Sequence, residues 1–109
     1  MAFDEGLARR ISECLGEFPG LAEKRMFGGL AFLQDGNMLV GVIGDDLIAR
    51  VGPDATDSAL ALPGARVFDF TGRPMRGWVV VDGSVLDDDA ALDEWIGRAQ
   101  VFVDTLPPK

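Results

Sequence analysis

Histidine and tyrosine are absent from this sequence, and cysteine occurs once, as Cys14. Without histidine there is no common general base, no usual nitrogen ligand for a metal, and no Ser–His or Cys–His nucleophile. A single cysteine rules out an internal disulfide and a multi-cysteine zinc site, and it suits a reducing compartment. Catalysis would fall to Asp, Glu, Lys, Arg or that one thiol, and no pair of them has a convincing local setting. The sequence therefore reads as a non-enzyme that needs no cofactor. No stretch approaches the roughly 20 apolar residues of a membrane span, and residues 1–23 lack a basic start followed by an apolar run. A soluble, cytoplasmic protein is expected.

What is present is an apolar content of 48% beside 26% charged residues, in a chain of 109 residues. That is enough Leu, Val, Ile and Phe for a real core and too short a chain for two, so residues 1–109 are expected to form one domain. Eighteen acids against ten bases leave a net charge of −8. Residues 24–76 are balanced at six of each sign, and residues 82–104 carry seven acids against Arg98. Duplex binding draws its non-specific affinity from Lys and Arg on phosphates, so this chain is not expected to bind nucleic acid directly.

Phe3, Leu7, Ile11, Cys14, Leu15 and Phe18 recur at helical spacing, which predicts an amphipathic N-terminal helix with Cys14 on its buried stripe. From Lys24 to Val51 the pattern shortens to KRMFG, LAFLQ, MLVGVI and LIARV, broken by Asp35-Gly36-Asn37 and Gly44-Asp45-Asp46. Asp-Gly between apolar runs is a hairpin signal, so an antiparallel meander is predicted. Residues 53–62 read as a short helix closed by Pro63-Gly64, and ARVFDF and GWVVV as a second hairpin. Leu92, Trp95, Ile96, Ala99, Phe102, Val103 and Leu106 then make a long helical stripe stopped by Pro107-Pro108. Asp87, Asp88 and Asp89 precede it, and capping accounts for them better than a metal does. The expected fold class is α+β: two layers, with a mostly antiparallel sheet of five to six strands and an N-terminal, a short middle and a long C-terminal helix. In MLVGVI both alternating sets of side chains are apolar, so the central strands must be covered on both faces. Either the helices wrap far enough or a second copy covers the sheet as a homodimer.

Four of the ten basic residues sit in two short stretches: Lys24-Arg25-Met26-Phe27-Gly28-Gly29 and Gly72-Arg73-Pro74-Met75-Arg76-Gly77, the latter followed by Trp78. The first reads as an edge strand running into a bulge, and its glycines do not have phosphate-loop spacing. The second reads as a rigid hairpin loop whose two arginines could pair with acids or meet an anion.

RMFGG and GRPMRG at this separation, with LIARV between them and LDDDAALDEWIGRAQVFVDTLPPK at the end, resemble the N-terminal domain of the TfoX/Sxy family. The resemblance runs over nearly the whole chain, without room for a second domain. It implies a compact α+β domain and a part in transcriptional control through a protein partner such as a transcription factor. Two functional readings follow. In the first, the chain is a regulatory interaction domain. In the second, Arg25, Arg73 and Arg76 converge on a pocket as a clamp for a small anion or metabolite.

Overall fold

A computed structural model of the chain describes residues 3–17, 19–26, 28–69 and 76–108. The first helix, α1 (Glu5–Leu15), is started by Asp4, whose carboxylate accepts hydrogen bonds from the N–H groups of Gly6 and Leu7. These are donors that a helix N-terminus otherwise leaves without partners. Its buried residues are Leu7, Ala8, Ile11 and Leu15. Phe3 stands ahead of the helix rather than within it, bridging to Gly44, and Phe18 lies outside the described residues.

Four strands follow as a meander: β1 (Leu21–Met26), β2 (Gly29–Gln34), β3 (Asn37–Ile43) and β4 (Asp46–Arg50). The β2–β3 turn is Asp35-Gly36, with φ of 53° and 85°. Positive φ at both positions is what a two-residue hairpin of matching twist requires. Met26 pairs directly with Gly29, so the first motif closes a hairpin rather than a bulge; the irregularity lies one hairpin further on. There Phe32 pairs with Val40 and Leu33 with Met38, leaving Leu39 as an extra residue. An inserted residue re-aims the strand locally, and here Leu39 and Val40 both enter the same core cluster.

After β4 the chain makes a short 3₁₀ turn (Pro53–Ala55) and helix α2 (Thr56–Leu60), then β5 (Ala65–Val67). The strand expected over ARVFDF thus stops at Val67. β6 (Trp78–Val81) returns and inserts between β4 and β5, giving a six-stranded antiparallel sheet in the order β1-β2-β3-β4-β6-β5. A second 3₁₀ turn (Val85–Asp87) leads into α3 (Asp89–Val103), where Asp88 caps the N-terminus by accepting from Ala90 N–H.

Both long helices lie on one face. Ile11, Phe32, Leu39, Val42, Leu47, Val81, Leu92, Trp95 and Ile96 belong to one cluster there. The C-terminal end is tied back to the β2–β3 turn: Asn37, itself buried, donates to the Pro107 carbonyl, and Gln34 donates to Asp104. On the other face Ile48, Phe68 and Val80 form a second cluster, with Met38, Ile43 and Trp78 packed against it. The two rings of Phe68 and Trp78 are 6.4 Å apart. Part of the covering that the sequence required on this second face is therefore supplied within the chain, by Phe68 just after β5. Burying Ile48 and Val80 does not need a second copy.

Candidate functional site

Arg25 of the first cation-bearing motif and Arg76 of the second lie far apart across the sheet. Following the register, Arg25 lies beside Leu30, then Val42, Leu47 and Val81. Those four strand spacings span roughly 19 Å, and Trp78, just after Arg76, begins the far end of β6, roughly another 10 Å along the strand. Arg25 and Arg76 therefore do not meet, and a clamp built from both is not formed. Phe27, Gly72, Arg73, Pro74 and Met75 lie outside the described residues.

At the first motif, Lys24 and Arg25 are exposed on β1, which is an outer strand of the sheet. Charges on an outer strand discourage pairing with foreign strands. The Arg25 guanidinium lies over the Phe3 ring at 5.6 Å from its centre, a cation–π contact. A shallow groove of about 430 Å³ beside it carries Glu5 and Glu23 as well as Arg9 and Arg25, so its charge is balanced and gives an anion no preference. Gly29 is needed for a different reason: a side chain there would run into the Val42 carbonyl of the neighbouring strand.

At the second motif the backbone is bonded inward. Gly77 N–H donates to Thr56 Oγ1 at 2.8 Å, and the same hydroxyl donates to the Gly52 carbonyl at 2.8 Å. The Gly77 carbonyl accepts from both Val51 N–H and Gly52 N–H. Thr56 is buried at 5% exposure, so its one hydroxyl satisfies polar groups on two segments that water does not reach. Gly52, at φ 90°, lies against the Phe102 ring of α3, where any Cβ would collide. Arg76 itself points out: it reaches Asp57 only at 3.6 Å, with 61% of its side chain exposed. Such a pair contributes about 0–0.5 kcal/mol.

Next to this elbow is an open groove of about 390 Å³, with residues 51–55 as one wall and Arg98, Val101, Phe102 and Thr105 as the other. Val101 is 73% exposed, one of two large apolar residues left in water among the described residues. Arg50 stacks on both Trp78 and Phe102, at 5.2 and 5.6 Å from their ring centres, and Arg98 lies over Trp95 at 5.9 Å. Arg98 Nε is out of contact with solvent and makes no hydrogen bond; the nearest acid, Glu94, is 3.9 Å away. The groove thus combines exposed apolar surface with arginines whose charge rests on aromatic faces. Sequence reasoning placed Phe102 in the core and passed over Arg50, Gly52, Thr56, Arg98 and Val101. The traces were Gly-Pro at 52–53 and Val101 as an apolar residue off the buried stripe.

Two other clusters resolve into structural roles. Around the β3–β4 turn, Asp4 caps α1, Asp46 holds Arg66 and Gly83 N–H, and Asp82 accepts from Ser84 N–H and Oγ. Those bonds from Ser84, backbone first and hydroxyl second, hold the Asp82 carboxyl below its ordinary value. Cys14 is exposed, correcting its expected place in the core, and its Sγ contacts Asp93 at 2.9 Å. Counting 100° per residue, it stands at the rim of the arc defined by Leu7, Ala8, Ile11 and Leu15, where α3 brings a carboxylate instead of an apolar partner. Partial desolvation, then the hydrogen bond and charge of Asp93, push the thiol up to about 11. Thiolate chemistry at neutral pH is correspondingly suppressed.

An α+β domain with helices on one face of an antiparallel sheet and an apolar surface groove is the class of protein these features define. A family model for the TfoX N-terminal domain matches residues 13–102, and the chain belongs to that family. TfoX/Sxy proteins are competence regulators, and the family is generally regulatory rather than catalytic. Comparison with curated proteins returns no match, and comparison with solved structures returns none. Among the described residues no helix is long and apolar enough to cross a membrane.

Proposed function

We propose that this chain is a non-enzymatic regulatory domain that acts in the cytoplasm through a protein partner, in transcriptional control of the competence type. Its family supports the regulatory half of this reading. The observation that carries the partner half is the groove beside α3, where Val101 and Phe102 present apolar surface to water directly behind the second family motif. Contiguous apolar surface in a concave site marks contact sites, and a bonded scaffold holds such a site ready-formed. The Thr56–Gly77–Gly52 bonds supply that scaffold.

The test is deletion of the gene in the source organism, with transcripts measured and the tagged chain used to recover its partner. A defined set of altered transcripts and reproducible recovery of one transcription-related protein are expected. Unchanged transcripts with nothing reproducibly recovered would overturn the reading.

A further inference from the structure

We propose that Asp35-Gly36, the tip of the β2–β3 turn, is a site of isoaspartate formation, and that the conversion releases the C-terminal end of the chain from that turn. In the reaction the Gly36 nitrogen attacks the protonated carboxyl of Asp35. A bond from nitrogen to Cγ forms, the bond from Cγ to the hydroxyl breaks, and the hydroxyl leaves with the amide proton as water. Hydrolysis of the cyclic imide takes that water back. Where it breaks the bond from the nitrogen to the backbone carbonyl carbon of Asp35, the main chain runs on through Cβ and Cγ. A new α-carboxylate is left, the mass is unchanged, and the backbone is one atom longer.

The sequence has two Asp-Gly pairs, and the fold treats them differently. At Asp82-Gly83 the attacking group is occupied, because Gly83 N–H donates to Asp46 at 3.1 Å. The Asp82 carboxylate accepts from the N–H and the hydroxyl of Ser84, bonds that favour the charged form over the protonated one that reacts. A side chain at Gly83 would run into the Asp45 carbonyl, so this segment is also closely packed. Asp35 and Gly36, by contrast, are both exposed, and neither the Asp35 carboxylate nor the Gly36 N–H makes a hydrogen bond among the described residues. Ring closure needs rotation about the bond from Asp35 Cα to its carbonyl carbon. The bond from Asp35 N–H to the Gly20 carbonyl lies on the other side of Cα, and an exposed turn tip opens locally without unfolding the sheet.

The neighbours of the turn carry the consequence. Gln34 and Asn37 pair across it, and these two side chains hold Asp104 and the Pro107 carbonyl. A two-residue turn sets that register through its positive φ at both positions, and an extra backbone atom does not fit it.

The experiment ages the whole chain at neutral pH for weeks. Isoaspartate is located by fragmentation mass spectrometry and counted by methyl transfer from S-adenosylmethionine to the new carboxylate by an isoaspartyl methyltransferase. Asp35 is expected to convert at least tenfold faster than Asp82 in the folded chain, and at a similar rate to it in urea. Asp35→Asn keeps the turn and reaches the same imide by losing ammonia, so it should speed conversion at least tenfold; Asp35→Gly also suits the turn and should abolish it. The amides of Asp104, Thr105 and Leu106, bonded within the last turns of the chain, should exchange hydrogen at least tenfold faster in the converted form than in the fresh one. In Asp35→Gly, aged alike, they should not change. Conversion of Asp82 as fast as Asp35 in the folded chain, or an equal excess at Asp35 in urea, would overturn the assignment of the site. C-terminal exchange unaltered by conversion would overturn the release.

Discussion

Lys24 and Arg25 stand on an outer strand with water beside them, whereas Arg76 runs straight into a glycine whose N–H and carbonyl are both bonded inside the protein. The two stretches look alike in sequence, each a pair of cations beside glycine and methionine. In the first the glycine serves close strand approach and the cations guard an edge, with Arg25 resting on Phe3. In the second the glycine is one corner of a buried hydrogen-bond hub that fixes the wall of the α3 groove. Similar composition thus carries different physics, and the difference is made by what lies opposite: a strand's carbonyl in one case, a buried threonine in the other.

The contrast can be broken by mutation. Gly52→Ala should be the most damaging change, because it combines an unfavourable φ with displacement of the Phe102 ring; a loss of about 3 kcal/mol in urea unfolding is expected. Thr56→Val leaves Gly77 N–H and one Gly52 carbonyl lone pair unsatisfied and should cost about 2 kcal/mol, while Thr56→Ser recovers most of it. A control away from both motifs is Cys14. Its raised pKa lowers the thiolate fraction at pH 8 by about a hundredfold, offset in part by greater thiolate nucleophilicity, so iodoacetamide should react roughly tenfold more slowly than with a free thiol. As pH rises from about 9 towards 11 the unfolded thiol ionises before the folded one, so this group's contribution to stability falls over that window. Asp93→Asn should speed the reaction. Arg76→Ala removes a long, exposed ion pair and should change stability by less than about 0.5 kcal/mol, and Lys24→Ala by no more. If Lys24→Ala matched Thr56→Val in cost, the first motif would be as deeply built in as the second, and the comparison would collapse.

Most of the architecture was legible because it is local. Asp35-Gly36 specifies its own turn, Asp88 caps the helix it precedes, and Leu92, Trp95, Ile96 and Ala99 mark one side of α3 whatever surrounds it. The placement of Cys14 was not legible, since a residue at the rim of a helical arc is buried or exposed according to the neighbour that happens to face it. Nor was the groove: Thr56 and Gly77 are 21 residues apart, and nothing in either neighbourhood announces the other.

By itself the sequence determined the class of fold, the place of the Asp35-Gly36 turn and the family, because turn chemistry and hydrophobic period act over a few residues and need no context. Tertiary structure alone decided that β6 inserts beside β4, that Phe68 packs on the second face, and that Arg25 and Arg76 lie far apart. Those outcomes depend on which distant surfaces fill one another's space, and that is a property of the packed chain rather than of any segment in it.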